Sequence, residues 1–155
     1  MRKTYRILAD IIAIEVVIQA MMIVFAVAGL FKWINDGATL DSTVVKSWET
    51  EHPTFTGSIG HFIHTMNGTY LIPLLGIILL IVSLFAKVDG GIKWAAIIAV
   101  SIAVQVTAGL TAESVPAIGL VHGLNAFVLF TAALMAARAA KGAAALKPET
   151  AAPAM

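Results

Sequence analysis

The chain has 155 residues, of which 59% are hydrophobic and 12% are charged, and its mean hydropathy is +0.92. Soluble domains carry about 45–50% apolar and about 25% charged residues, so this chain has too few polar side chains to cover a water-soluble globule. The formal net charge of +1 excludes nucleic acid as a partner, and the absence of cysteine excludes disulfides, iron–sulfur clusters and thiolate-ligated haem.

Four apolar stretches are each long enough to cross about 30 Å of hydrocarbon at roughly 1.5 Å per residue. They cover residues 8–33, 60–86, 94–112 and 117–139. Irregular backbone cannot face lipid and no alternating barrel pattern is present, so each stretch is predicted to be a helix, the first being a retained helix rather than a signal peptide. The predicted fold is all-α, an integral membrane four-helix bundle of up-down-up-down topology over 1–141, followed by a disordered tail over 142–155.

Basic residues flank alternate ends of the predicted helices. They precede the first helix, separate the second from the third and follow the fourth: Arg2, Lys3, Arg6, Lys87, Lys93, Arg138, Lys141 and Lys147. The positive-inside rule places these flanks in the cytoplasm. We therefore expect a multi-pass protein of the cell membrane, surrounded by the lipid bilayer, with both termini cytoplasmic and the loop 34–59 outside.

A short motif occurs twice in the chain, as HTMNG at 64–68 and as HGLNA at 122–126. His64 and His122 each lie four or five residues inside a predicted helix, or about 6–8 Å below the outer boundary. Ionisable residues in membrane spans are costly and usually face the bundle interior. Two imidazoles at matched depth on non-adjacent helices suit a haem b, because each can supply one axial nitrogen.

Other interpretations of these polar residues remain open. Each histidine could hydrogen-bond across the bundle, or His61 could join His64 and His122 in a zinc or copper site, although no H-E-x-x-H motif is present. Glu15 and Gln19, four residues apart on one helix face, could bond a neighbouring helix, guide a proton or bind a quinone, and bonding a neighbouring helix is favoured. The candidate cofactor-binding residues are His61, His64, Asn67, Gln105, His122 and Asn125.

The third and fourth helices carry a recognisable run, with VQVTAGLTA at 104–112, a proline at 116 and LVHGLNA at 120–126. This run resembles the Q-x-x-x-G-(G)-L-T-V … P … x-H-L-x-x-A pattern of the haem A synthase family, and GHFIH at 60–64 is similar to that family's E-x-x-H-R segment. Those enzymes consist of two four-helix halves, each with histidines near the outer ends of its second and fourth helices. The chain resembles one such half, which implies that His64 and His122 are the axial pair.

Two departures from the family pattern change what the resemblance implies. His61 stands where the family has a glutamate implicated in chemistry on the haem, and Thr65 stands where it has an arginine. Because the chain corresponds to one half, we expect haem b binding by an electron carrier or an accessory subunit of a membrane redox complex, rather than haem A synthesis. The alternatives are a cofactor-free scaffold subunit of a larger membrane complex and a haem-modifying enzyme that works as a homodimer.

Overall fold

The computed structural model describes residues 1–48 and 50–145. This part of the chain is helical and contains no strand, which confirms the all-α prediction. Its elements are α1 (Arg2–Asn35), α2 (Ser42–Ser47), α3 (Ser58–Met66), a π-helical segment (Asn67–Leu71), α4 (Ile72–Ser83), α5 (Gly91–Ala112) and α6 (Ile118–Ala145). The predicted tail lies outside the described residues from residue 146 onward, as does Lys147.

Four helical segments within the described residues are long and apolar enough to cross a membrane. They are Arg2–Asn35, Ser58–Ser83, Gly91–Ala112 and Ile118–Gly142. Each predicted helix has its counterpart, although the second ends at Ser83 because the chain turns there, with the N–H groups of Leu84 and Phe85 bonded three residues back. At most 28% of the most apolar window of any segment is buried, so most of each helix surface faces outward.

Along α6 large apolar side chains are exposed and small ones are buried, which is the reverse of the pattern in a soluble protein. Leu120, Leu124 and Phe127 are 79%, 70% and 73% exposed. The buried positions of the same helix are mostly alanines, namely Ala132, Ala133, Ala136, Ala137 and Ala140. Small residues let helices approach closely, and large apolar side chains on the outside suit a lipid surrounding.

Two ion pairs mark the ends of the apolar part of α1. Arg6 lies 3.5 Å from Asp10, and Lys32 lies 2.7 Å from Asp36. At roughly 1.5 Å per residue the helix between Asp10 and Lys32 is about 33 Å long, which is close to the roughly 30 Å thickness of bilayer hydrocarbon. Glu15 is the one charged residue in that interval of the sequence.

The chain divides into two compact units, of which one is Glu15–Ile72. In this unit α1 runs against α3, and we call these segments the first helix pair. A Cβ atom at Gly29 would overlap the carbonyl oxygen of Thr56, and one at Gly60 would overlap that of Met22. Glycine is therefore required at both positions for the close approach of the two backbones.

The loop between α1 and α3 has its own local structure. The Asp41 side chain caps α2 by accepting hydrogen bonds from the N–H groups of Thr43 and Val44, at 2.8 and 3.0 Å. Three aromatic rings lie with centroids 5.8–6.4 Å apart, and they belong to Trp33, Trp48 and Phe55. Tryptophan is common at membrane interfaces, so this cluster suits an ordered cap at the end of the first helix pair.

The other unit consists of Met1–Ile14 and the chain from Pro73 onward. Within it α5 runs against α6, and we call these segments the second helix pair. The buried Tyr5 hydroxyl donates a hydrogen bond to the carbonyl oxygen of Gly91 at 2.9 Å, and the Arg2 guanidinium donates to that of Lys87 at 3.0 Å. The start of α1 is thereby joined to the turn that precedes α5.

A π-helical segment interrupts the second long helix, which the sequence predicted as one helix over 60–86. The N–H of Ile72 bonds the carbonyl of Asn67, five residues back. Pro73 follows, and it has no N–H to return to a carbonyl in the preceding turn. The wider turn accommodates that missing donor, as is common where the hydrogen-bond ladder of a helix is disturbed.

We expect Gly60→Ala to lower the free energy of unfolding by about 1–3 kcal/mol, because its methyl group would push α3 away from α1. The measurement is thermal unfolding in detergent, followed by circular dichroism. The matched control is Gly123→Ala on α6, where a Cβ would meet nothing within 4 Å. Equal destabilisation by both variants would contradict the close packing of the first helix pair.

Candidate functional site

His64 makes a hydrogen bond across the first helix pair. Its Nδ1 lies 3.1 Å from the carbonyl oxygen of Gln19, and the side chain is half-buried. A carbonyl oxygen can only accept, so Nδ1 carries the hydrogen. In the neutral ring the lone pair is then on Nε2, which is the nitrogen able to coordinate a metal.

Asn67 makes a second polar contact one turn further along the chain. Its amide donates to Oε2 of Glu15 at 3.1 Å. From the first contact to the second, the chain runs forward on one helix, from His64 to Asn67. On the other helix it runs backward, from Gln19 to Glu15. The helices of the first pair are therefore antiparallel.

The second helix pair carries the same arrangement. Nδ1 of His122 lies 3.0 Å from the carbonyl oxygen of Gln105. The Asn125 amide donates to Oε1 of Gln105 at 2.7 Å and to the carbonyl oxygen of Ser101 at 2.8 Å. It also accepts from the Ser101 hydroxyl at 3.0 Å. Here too the histidine ring must donate through Nδ1, which leaves Nε2 as its basic nitrogen.

The repeated motif therefore extends to the partner helices. In each pair the histidine bonds the backbone carbonyl of a glutamine on the facing helix. The asparagine three residues after the histidine bonds a second residue of that facing helix, which lies four positions before the glutamine. One set consists of Glu15, Gln19, His64 and Asn67, and the other of Ser101, Gln105, His122 and Asn125. Each set lies within a single unit of the chain.

The two sets differ in how well their polar groups are satisfied. Gln19 is 8% exposed, and among the described residues its side-chain Nε2 finds no hydrogen-bond partner. A Cβ atom at Gly68 would lie 3.3 Å from Gln19 Oε1, so the amide occupies the space that a larger residue would fill. The corresponding Gln105 has its amide oxygen bonded by Asn125.

A glycine also makes room for the second histidine. A Cβ atom at Gly109 would lie 3.1 and 3.2 Å from Cε1 and Nδ1 of the His122 ring. These distances are tighter than ordinary van der Waals contact, so any larger residue at Gly109 would press on the ring. The small residue thus sets the position of the imidazole against α5.

The remaining histidines lie apart from these hydrogen bonds. His61 is exposed on α3, one turn before His64, and the exposed His52 has its ring 6.3 Å from that of Phe62. Within residues 1–48 and 50–145 no three His, Cys, Asp or Glu side chains are grouped to hold a metal ion. The structure therefore gives no support to a three-histidine zinc or copper site. A haem needs only one imidazole on each face, so the two-histidine ligand set is chemically compatible with it.

Sequence reasoning missed Ser101 altogether. It favoured a bond from Glu15 and Gln19 to a neighbouring helix, and the hydrogen bond between Asn67 and Glu15 agrees with that prediction. A signal was present, because Glu15 and Ser101 each stand four residues before a glutamine on the helix that contacts an H-x-x-N motif. The correspondence can be recognised only once the structure shows which helix contacts each motif. The π-helical segment after His64 was also missed, and its signal was Pro73.

Comparisons with protein-family models, with curated proteins and with solved structures give no match to this chain. The resemblance to one half of the haem A synthase family therefore stays a prediction from the motifs quoted above.

We expect Asn125→Ala to lower the free energy of unfolding by about 1 kcal/mol more than Asn67→Ala, because side-chain hydrogen bonds in membrane helices contribute about 0.6 kcal/mol each on average. Asn125 makes three such bonds and Asn67 makes one. Thermal unfolding of both variants in the same detergent provides the measurement. A larger loss for Asn67→Ala would show that the second set is the less important one for stability.

Proposed function

We propose that this chain is a multi-pass protein of the cell membrane whose four long helices form an up-down-up-down bundle with both termini in the cytoplasm. Support comes from the large apolar side chains on the outside of α6 and from the apolar interval of α1, bounded by an ion pair at each end. Support for the orientation comes from the basic residues in alternate flanks.

We further propose that the protein binds one haem b, with the imidazoles of His64 and His122 as axial ligands. The observation that carries this proposal is the repeated hydrogen bond from histidine Nδ1 to a glutamine carbonyl. Histidines that bind metals nearly always donate their other ring N–H to a carbonyl or carboxylate, which fixes the tautomer and the ring orientation. Both histidines meet that condition through a backbone carbonyl.

The residues around the histidines have defined parts in this proposal. Gln19 and Gln105 orient the two rings through their carbonyls, and Gly109 leaves space for the His122 ring. When bound, the haem supplies one-electron redox chemistry. The exposed apolar helix surfaces keep the protein in the bilayer, so the function that follows is that of an electron carrier or an accessory subunit of a membrane redox complex.

A cofactor-free scaffold is the second candidate, and the same hydrogen bonds favour it. The His64 and His122 contacts join antiparallel helices whether or not a metal is present, and Asn67 and Asn125 extend each set by further bonds. In that case the outward apolar side chains would pack against other subunits of a larger complex. The two proposed functions differ in one observable property, which is whether the purified protein carries haem.

We expect the detergent-purified protein to show a Soret band and the sharp reduced-state bands of a six-coordinate low-spin haem. His64→Ala and His122→Ala are each expected to abolish six-coordination, because each removes one axial nitrogen. The measurement is the absorption spectrum of oxidised and reduced samples from haem-replete cells.

His52→Ala is the matched control, and it is expected to leave the spectrum unchanged because His52 is exposed in the loop. The exposed His61 should also be dispensable for ligation. A preparation that stays colourless after addition of haem would reject the haem and leave the scaffold. Loss of six-coordination in His61→Ala but not in His64→Ala would show that the axial ligand on α3 is His61, one turn before His64.

The proposed orientation predicts the accessibility of two single cysteines in the cysteine-free chain. Thr54→Cys, in the loop between α2 and α3, should react with a membrane-impermeant maleimide in intact cells. Lys141→Cys near the end of α6 should react only after lysis, because its flank is cytoplasmic. Both positions are exposed, so labelling reports on the side of the membrane and not on burial. The opposite labelling pattern would mean that the protein is inserted the other way round.

A further inference from the structure

Basic residues from two segments far apart in the sequence lie at one end of the unit that contains the second helix pair. The Arg2 guanidinium donates to the carbonyl oxygen of Lys87 at 3.0 Å, and the buried Tyr5 hydroxyl donates to that of Gly91 at 2.9 Å. These two bonds hold the beginning of α1 against the turn 84–90, which joins α4 to α5. Both segments belong to the same compact unit.

The charges at this end are mainly positive. Residues 1–14 and 83–94 contain five basic side chains and two acidic ones, and one of the acidic side chains is already paired with a basic residue of its own helix. Three of the basic residues are exposed lysines that belong to neither ion pair of the described residues, namely Lys3, Lys87 and Lys93. Like charges held together repel one another, so an anion from outside the chain would stabilise this surface.

The backbone at Lys87 is an independent observation. Its φ is +50°, and within residues 1–48 and 50–145 no other residue except glycine has a positive φ. A side chain with a Cβ atom is disfavoured in this left-handed conformation, which glycine adopts readily. Gly90, three residues later in the same turn, has a φ of +68°. A lysine at position 87 therefore points to a role for its ammonium group, because the turn itself would favour glycine.

We propose that this end of the protein binds the headgroup of an anionic phospholipid, with Arg2, Lys3 and Lys87 as its basic contacts. This inference rests on the membrane insertion proposed above and is independent of the haem. Basic residues just outside the cytoplasmic end of a membrane helix attract the anionic lipids of that leaflet. Leu84 and Phe85, in the same turn as Lys87, are exposed apolar side chains. They suit the acyl chains of the lipid whose phosphate the cations contact.

The test is thermal unfolding of the detergent-purified, full-length protein during titration with phosphatidylglycerol. A lipid that binds the folded protein raises the midpoint temperature in proportion to its occupancy, and the titration gives an apparent affinity. We expect phosphatidylglycerol to raise the midpoint, whereas uncharged phosphatidylcholine and inorganic phosphate, which has no acyl chains, should not. Lys87→Gly should weaken the apparent affinity about fivefold, because one basic contact is lost. Lys87→Arg, which keeps the positive charge, should retain the affinity.

Glycine fits the left-handed backbone, so Lys87→Gly should fold and, without lipid, unfold close to the wild-type temperature. The matched control is Lys46→Gln, which removes an exposed lysine of the other unit and should keep the wild-type affinity. No loss of affinity in Lys87→Gly, or an equal loss in Lys46→Gln, would overturn the headgroup site. An equal rise with inorganic phosphate or with phosphatidylcholine would also overturn it. A protein that stays in solution without detergent would instead reject the membrane insertion.

Discussion

The hydrogen bond between a histidine Nδ1 and a glutamine carbonyl is the interaction on which the helix pairs depend. A helix carbonyl already accepts one bond from the N–H four residues later, and its second lone pair remains available. The rings of His64 and His122 use that lone pair on Gln19 and Gln105, so neither helix has to break. The contact fixes which turn of one helix faces which turn of the other, and the asparagine three residues later continues the same register.

This register is possible because the helices of each pair approach closely. Gly60 brings the backbone of α3 against that of α1, and Gly109 admits the His122 ring against α5. Large apolar residues are correspondingly on the outside, where Leu120 and Phe127 are among the most exposed. In a bilayer the burial of apolar surface gives little drive for helices to associate, so close packing and internal hydrogen bonds carry the association. The structure has both.

The two helix pairs share a plan but have different chemistry. In the second set Asn125 makes hydrogen bonds to both Gln105 and Ser101, so these three side chains are bonded to one another. In the first set Asn67 bonds the Glu15 carboxylate, and the buried Nε2 of Gln19 finds no hydrogen-bond partner within residues 1–48 and 50–145. The π-helical segment Asn67–Leu71 begins at the asparagine of the first set, and such segments are frequent at functional sites. A buried polar group without a partner is rare in native proteins and calls for a structural or functional reason.

Composition and hydropathy alone determined that the chain is helical and that four segments could cross a membrane, because apolar runs of this length have no other stable form in lipid. The motif that occurs at 64–68 and again at 122–126 singled out His64 and His122. Only the tertiary structure decided which carbonyl each ring bonds, that Ser101 and Glu15 occupy corresponding positions, and that His61 is exposed. Those facts depend on contacts between residues far apart in the chain, and local periodicity carries no information about such contacts. Pro73 can be read from the sequence. The π-helical turn before it could not be predicted, because it depends on how the whole helix accommodates the N–H group that proline lacks.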